Sequence, residues 1–212
     1  MIDEYPEIAL ERFDKANIWI KYIISQIRNF MQDQILEVGA GCGSFTKSYM
    51  EKFKSITLTD LDNNSVKLLN KNFSKYQNIK ILSKATSEID KTFNTIIYFN
   101  VLEHVKDDIA EINSAIERLN VGGYLIILVP AHQKIYSKLD KAVGHYKRYD
   151  IDFFRNNKFK NSKIVRLRFL DFFGYFLYHF NKIFFKEEVF PSNFKIFVWD
   201  KIFTPFTVIM DF

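Results

Sequence analysis

Residues 35–45 read ILEVGAGCGSF, and this stretch constrains the fold more than any other. A short apolar run, Ile35-Leu36-Glu37-Val38, gives way to glycine at positions 39, 41 and 43, and a helical pattern starts at Ser44. A strand that turns through glycines straight into a helix is a βα junction. Glycines let the backbone turn tightly and approach a ligand closely, and the helix behind them offers unpaired N–H groups. Asp60 closes the next apolar run, where a carboxylate can accept hydrogen bonds from both hydroxyls of a ribose. Taken alone, the loop also fits a plain βα turn that binds nothing.

The rest of the chain repeats the alternation. Helical spacing of apolar residues predicts helices over 6–30, 44–54, 64–73 and 107–119, with the asparagine and glycines of 120–123 stopping the last. Apolar runs predict strands over 35–38, 55–59, 79–83, 94–100 and 124–129. Strands alternating with helices imply βαβ units and a mostly parallel sheet, and runs without polar alternation are expected where helices cover both faces. The expected architecture is α/β, a single domain over 1–212 made of a leading helix (1–30), a core (31–130) and a further segment (131–212). A chain of 212 residues suits one domain. A single cysteine, Cys42, excludes a disulfide scaffold and a multi-cysteine zinc site. The acidic N-terminus lacks a secretory apolar core, and no run of about 18 uncharged apolar residues exists, so no signal peptide or membrane span is expected.

The glycine spacing departs from the dinucleotide fingerprint, which needs Gly or Ala where Ser44 stands. Together with Glu37 it reads E-x-G-x-G-x-G and resembles motif I of the class I S-adenosylmethionine-dependent methyltransferases. Residues 99–105, FNVLEHV, resemble the NVLEH stretch after the fourth strand of that family, and Gly122-Gly123-Tyr124-Leu125 its GG turn before the fifth. The resemblance covers residues 35–130 in order and spacing. It implies a Rossmann-like methyltransferase fold and S-adenosylmethionine as cofactor. It places Glu37, Gly39 and Gly41 around the methionine part, Asp60 on the ribose, Leu61 beside the adenine, and the backbone of Asn100 and Val101 near the methionine end. The family's acidic residue after the third strand is missing, which leaves Thr86 or a backbone group for the adenine amine. Asp62 reads as a turn or helix-start carboxylate.

Residues 129–150, VPAHQKIYSKLDKAVGHYKRYD, resemble a bacterial subgroup of the same family with a GHYRRY-like motif, whose relatives accompany glycosyltransferases of surface-polysaccharide assembly. Leu10 to Ala16 with Trp19 resembles that subgroup's leading helix, although Ile18 and Ile20 flank the Trp where aromatics are usual. Residues 131–170 carry eleven Lys and Arg against three Asp, whereas the residues before them are slightly acidic. The net charge of +5 is therefore local, which argues for an anionic acceptor, a small molecule or glycolipid, and not for nucleic acid. In a parallel sheet the segment after the fifth strand overhangs the ligand. This makes His145 a candidate general base, Arg148 an anion clamp and Tyr149 a third catalytic candidate. Alternatively, Asp140 pairs with Arg148 and the tyrosines pack as a structural lid.

Thirteen of the 23 phenylalanines lie in residues 169–212. A helix over 171–185 is apolar nearly all round, which suggests burial between partners. The tail is an aromatic-rich helical cap over the substrate site, a homodimer face, or a peripheral membrane contact. The family's last strand is either missing or supplied by residues 195–198. The His and acidic residues show no metal-ligand spacing in the sequence, so no metal is expected. The whole reads as a methyltransferase, cytoplasmic or at the inner face of a membrane, acting on a hydroxyl of a sugar or glycolipid. The alternatives are a carboxylate, amine or carbon of a lipid-like molecule, and a non-catalytic binding module.

Overall fold

The computed structural model describes residues 15–184 and 192–211. Five strands form one sheet: β1 (Ile35–Val38), β2 (Ile56–Thr59), β3 (Ile79–Leu82), β4 (Phe93–Phe99) and β5 (Leu119–Leu128). Their order is β3-β2-β1-β4-β5, with every pair parallel. Val38 lies opposite both Thr59 and Tyr98, so the strands end level and Gly39, Asp60 and Asn100 emerge side by side along one edge.

The pleat sends alternate residues to opposite faces. Ile35, Leu58 and Ile97 bury against α1 (Asn17–Ile27), α2 (Ser44–Tyr49) and α3 (Asn63–Phe73). Leu36, Val38 and Ile96 bury against Ile112 and Ala115 of α4 (Asp108–Glu117) on the other face. Each fully buried aliphatic side chain contributes about 1.5–3 kcal/mol. The short strands persist because both faces are covered.

Beyond β5 come α5 (Lys138–Ala142), α6 (Ile151–Asn156), α7 (Phe172–Phe184), α8 (Asn193–Val198) and α9 (Thr204–Met210), the last two joined by a π-helical turn. This segment folds back on α1. Asp200 Oδ1 accepts hydrogen bonds from the Ile18 and Trp19 amides, both at 2.9 Å, and so caps α1 from some 180 residues away. Tyr22 donates to Asp211 Oδ2 at 2.6 Å, and that carboxylate also accepts from the amides of Asp171 and Phe172 where α7 begins. The Trp19 and Trp199 rings lie 5.4 Å apart.

The structure corrects three expectations. Helix α4 ends at Glu117, and the two glycines sit inside β5 as an irregularity instead of stopping a helix. A Cβ on Gly123 would stand 2.9 Å from the Asn94 carbonyl, so the strand needs glycine to lie this close. Residues 195–198 are helical, with Ser192 Oγ accepting from the Lys195 amide, and supply no strand. Among the described residues the sheet therefore ends at β5. The helix expected over 44–54 stops at Tyr49 and tightens into a 3₁₀ turn, Met50–Lys52. The first part of the leading helix, residues 6–14, lies outside the described residues, as does 185–191.

Candidate active site

The three glycines have separate physical reasons, and all adopt positive φ. A Cβ on Gly39 would meet Val101 Cγ2 at 2.6 Å, so the loop after β1 and the loop after β4 touch only because glycine stands there. On Gly43 a Cβ would strike the Phe73 ring at 2.2 Å. Gly41 differs: nothing lies within 4 Å of its Cβ position. Its bare backbone faces open space, as a surface that cradles a ligand must.

The acidic residues around the loop are held firmly. Asp60 Oδ2 accepts from the Gly41 amide at 2.8 Å and Oδ1 from the Asp62 amide at 2.9 Å. Asp62 in turn caps α3 by accepting from the Ser65 amide, the helix-start role read from the sequence. Glu37 is buried and accepts from Thr46 Oγ1 at 2.7 Å and from the Tyr49 hydroxyl at 2.5 Å, which pins α2 to β1. Burial pushes its pKa up to about 7, against the opposing hydrogen bonds from Tyr49 and Thr46. Leu61 is exposed beside Asp60, as a group flanking a flat base would be. Asn100 takes positive φ at the end of β4, with its amide bound to the Leu128 carbonyl.

Thr86 is placed differently. It is buried, and its hydroxyl lies 3.0 Å from that of Tyr98, which donates to Glu111. Its side chain belongs to an internal polar chain and does not reach the adenine side.

The loop after β5 builds the opposite wall. The Tyr146 amide donates to the Glu103 carbonyl at 2.7 Å, and the Tyr149 hydroxyl to the Leu102 carbonyl at 2.9 Å and to Asp108 Oδ2 at 2.6 Å. These bonds lace residues 145–149 to residues 102–104 after β4. Tyr149 is thereby buried, its hydroxyl committed, and its pKa raised by burial and by the bond to Asp108. It is a fastener of the wall and not a group facing an acceptor.

Asp140 organises the rest. Fully buried, it accepts from Arg148 Nε at 2.8 Å and from the Ser137 amide at 2.8 Å, and its Oδ1 lies 2.9 Å from His145 Nδ1. Burial works to raise its pKa, but the hydrogen bonds from His145 and Arg148, with the arginine charge, outweigh it and hold the carboxyl well below its usual range. The carboxylate sits at Nδ1 and leaves Nε2 directed towards Glu103 Oε1, 3.9 Å away. The Arg148 guanidinium packs 4.5 Å from the Tyr178 ring centre and lies 3.4 Å from the Ala131 carbonyl. Its charge is balanced by Asp140, so the arginine serves this network first. The sequence reading offered an Asp140–Arg148 pair as an alternative to function; the same pair also aims His145.

Both walls open into one cleft of about 1700 Å³. It is lined by Gly39, Gly41 and Asn100 on one side and by Glu103, His104, His145 and Arg148 on the other. Its far bank carries Lys160, Lys163, Arg166 and Arg168 with no acidic residue among them. The tail roofs it: Tyr178 of α7 donates to the Ile135 carbonyl at 3.0 Å, and His132 stacks on Phe169. The residues present fit S-adenosylmethionine, with an open glycine backbone for its amino-acid part and the Asp60 carboxylate, held by Gly41, for its ribose. In the sequence Glu103 and His104 can be read as an acid/base pair or, as the resemblance implies, as shapers of the cofactor loop; the burial of Glu103 beside two histidines depends on the β5 loop and had no local signal.

Comparison with known proteins agrees with this geometry. A family model described as a methyltransferase domain matches residues 9–167. A hybrid PKS-NRPS synthetase tasS of Hapsidospora irregularis is 32% identical over 132 residues, covering 56% of this chain and 3% of that protein. The structure of a Bacillus halodurans C-125 protein superposes with a TM-score of 0.55 at 14% identity, covering 64% of this chain and 65% of that one. That of a S-adenosylmethionine-dependent methyltransferase from Clostridium acetobutylicum ATCC 824 gives 0.50 at 21% identity, covering 57% and 53%. The chain spans only a small part of the synthetase and about half to two thirds of the two solved chains. With the family model spanning most of its length and the parallel sheet carrying the glycine loop at the cleft, the chain belongs to the methyltransferase-domain family.

Proposed function

We propose that the protein transfers the methyl group of S-adenosylmethionine to a hydroxyl of an anionic acceptor of the sugar or glycolipid type. One observation carries the hydroxyl: the Asp140–His145 pair, whose imidazole lines the cleft that Gly41 lines from the other side. When bound, S-adenosylmethionine supplies an electrophilic methyl. The backbone at Gly39 and Gly41 and the carboxylate of Asp60 hold and orient it. His145 Nε2 takes the acceptor's proton, and anionic Asp140 stabilises the imidazolium that results. Much of the rate comes from alignment, since fixing two reactants in register supplies several kcal/mol. Lys160 and Lys163, which line the same cleft, support an anionic acceptor, while Arg166 and Arg168 donate to the Gln26 and Asp211 carbonyls.

The test is incubation of the protein with methyl-labelled S-adenosylmethionine and a panel of phosphorylated or uronic sugars and glycolipids, read by mass spectrometry. The proposal expects label on oxygen. Label on nitrogen, carboxylate or carbon overturns the hydroxyl assignment, and a folded protein that shows no calorimetric binding of S-adenosylmethionine overturns the whole reading. His145→Ala is expected to spare cofactor binding and reduce turnover.

A further inference from the structure

Glu103 is fully buried, yet neither carboxylate oxygen has a hydrogen-bond partner among the described residues. A buried polar group without a partner costs enough that native structures nearly always supply one, in protein, water or an ion. What faces Glu103 is two imidazoles. One donor atom each from Glu103, His104 and His145 lies within 4.8 Å of the others, and the two rings meet edge to face with centres 4.7 Å apart. We propose that Glu103, His104 and His145 bind a divalent transition-metal ion of the zinc or manganese type.

Three observations carry the assignment. Two imidazoles and a carboxylate are a donor set suited to such ions, leaving positions open. An ion with bonds of about 2.1 Å holds its ligand atoms about 3–4 Å apart, so the 3.9 Å between His145 Nε2 and Glu103 Oε1 already suits a shared ion. Behind His145 stands Asp140, accepting at Nδ1, and a metal-binding histidine commonly has a carboxylate in that place to fix its tautomer.

The site opens into the cleft near the donor loop. This rests on the reading given under Proposed function: Glu103, His104 and His145 would hold the ion, which would supply a Lewis acid beside the acceptor hydroxyl, and His145 Nε2 would then be its ligand in place of the general base.

The ion can be tested without the reaction. Chelator-stripped protein is titrated calorimetrically with zinc, manganese and magnesium chlorides, and separately with S-adenosylmethionine. The proposal expects one saturable site for zinc or manganese. Glu103→Gln, His104→Gln and His145→Gln should each weaken it at least about 100-fold. Asp140→Asn should weaken it about 10–100-fold by releasing the second nitrogen. His132→Gln removes a cleft imidazole outside the cluster and should leave it unchanged. Near-ultraviolet circular dichroism and cofactor titration show that each variant is folded. Absence of saturable binding of any of the three ions to folded wild type, or binding that survives all three ligand substitutions, overturns the site. If the ion fails while S-adenosylmethionine still binds, the methyl-transfer reading stands alone; if the ion binds and no acceptor is methylated, the site stands alone.

Discussion

Asp140 Oδ1 lies 2.9 Å from His145 Nδ1, and the same oxygen accepts from Arg148 at 2.8 Å. A buried carboxylate with two cationic-type partners is a single structural unit, because removing it leaves Arg148 without its counter-charge. Breaking such a buried pair costs about 3–5 kcal/mol. Asp140→Ala is therefore expected to lower stability by an amount in that range in urea unfolding, whereas Asp140→Asn keeps the shape and costs less. Turnover should fall in both, while affinity for S-adenosylmethionine, measured by calorimetry, stays within about twofold because the donor loop lies across the cleft.

The glycines separate stability from binding. Gly43→Ala forces a methyl into the Phe73 ring at positive φ and should destabilise the fold by several kcal/mol, roughly 2 or more. Gly41→Ala meets no protein atom and should cost only about 1–2 kcal/mol from its positive φ. Its added methyl points into the cleft, so the cofactor should bind at least about tenfold more weakly, a loss of about 1.4 kcal/mol. Thermal unfolding and calorimetry on the same two proteins check this; equal affinity in Gly41→Ala and wild type would remove Gly41 from the donor site.

Asp60→Ala removes both the proposed ribose acceptor and the hydrogen bond that shapes Gly41. Losing a charged acceptor for a bound hydroxyl costs about 1.5–3 kcal/mol, so affinity for S-adenosylmethionine should fall by roughly 10- to 100-fold. An affinity within twofold of wild type would show that the ribose is held elsewhere.

Glu37 sets a pH dependence. Its pKa rises from 4.5 to about 7 on folding, so between these values the native state holds more protons than the unfolded chain, and stability falls as pH rises. The stabilisation is complete below about pH 4.5 and lost by about pH 7, a change of up to roughly 3 kcal/mol. Denaturant unfolding across this range should show the decline in wild type, and Glu37→Gln should reduce its slope, the remainder coming from Glu103, which burial raises in the same direction. A slope unchanged in the variant would assign the pH dependence to another group.

The fold was largely legible because the information is local. Residues 35–38 and 56–59 are apolar runs that only a covered sheet can use, and the glycines and Asp60 follow them directly. The end of α4 was misjudged because Gly122 and Gly123 look like a helix stop, while their real reason is an approach to the Asn94 carbonyl from another strand. Residues 195–198 are a short apolar run that suits a strand or a helix, and they take the helix that Ser192 caps. In the site, His145 and Arg148 stood out by residue type. The Asp140–Arg148 pair was one of the alternatives read there, whereas the fastening of Tyr149 to Asp108 and the lack of a hydrogen-bond partner for Glu103 among the described residues depend on how two distant loops meet, which no sequence spacing records.

The bonds from Asp200 to the Ile18 and Trp19 amides have a kinetic consequence. Closing a contact over some 180 residues carries a loop entropy that local pairs avoid, so such contacts form late in folding. The sheet and α2 to α4 can assemble first, and α7 to α9 then dock on α1 as a late, separately cooperative unit. In reverse, the roof can lift while the sheet stays intact, a partial opening well below the cost of global unfolding. The amides of α1 and α9 should then exchange with solvent deuterium together and ahead of β1. Passage of a bulky acceptor into the cleft would draw on that same opening.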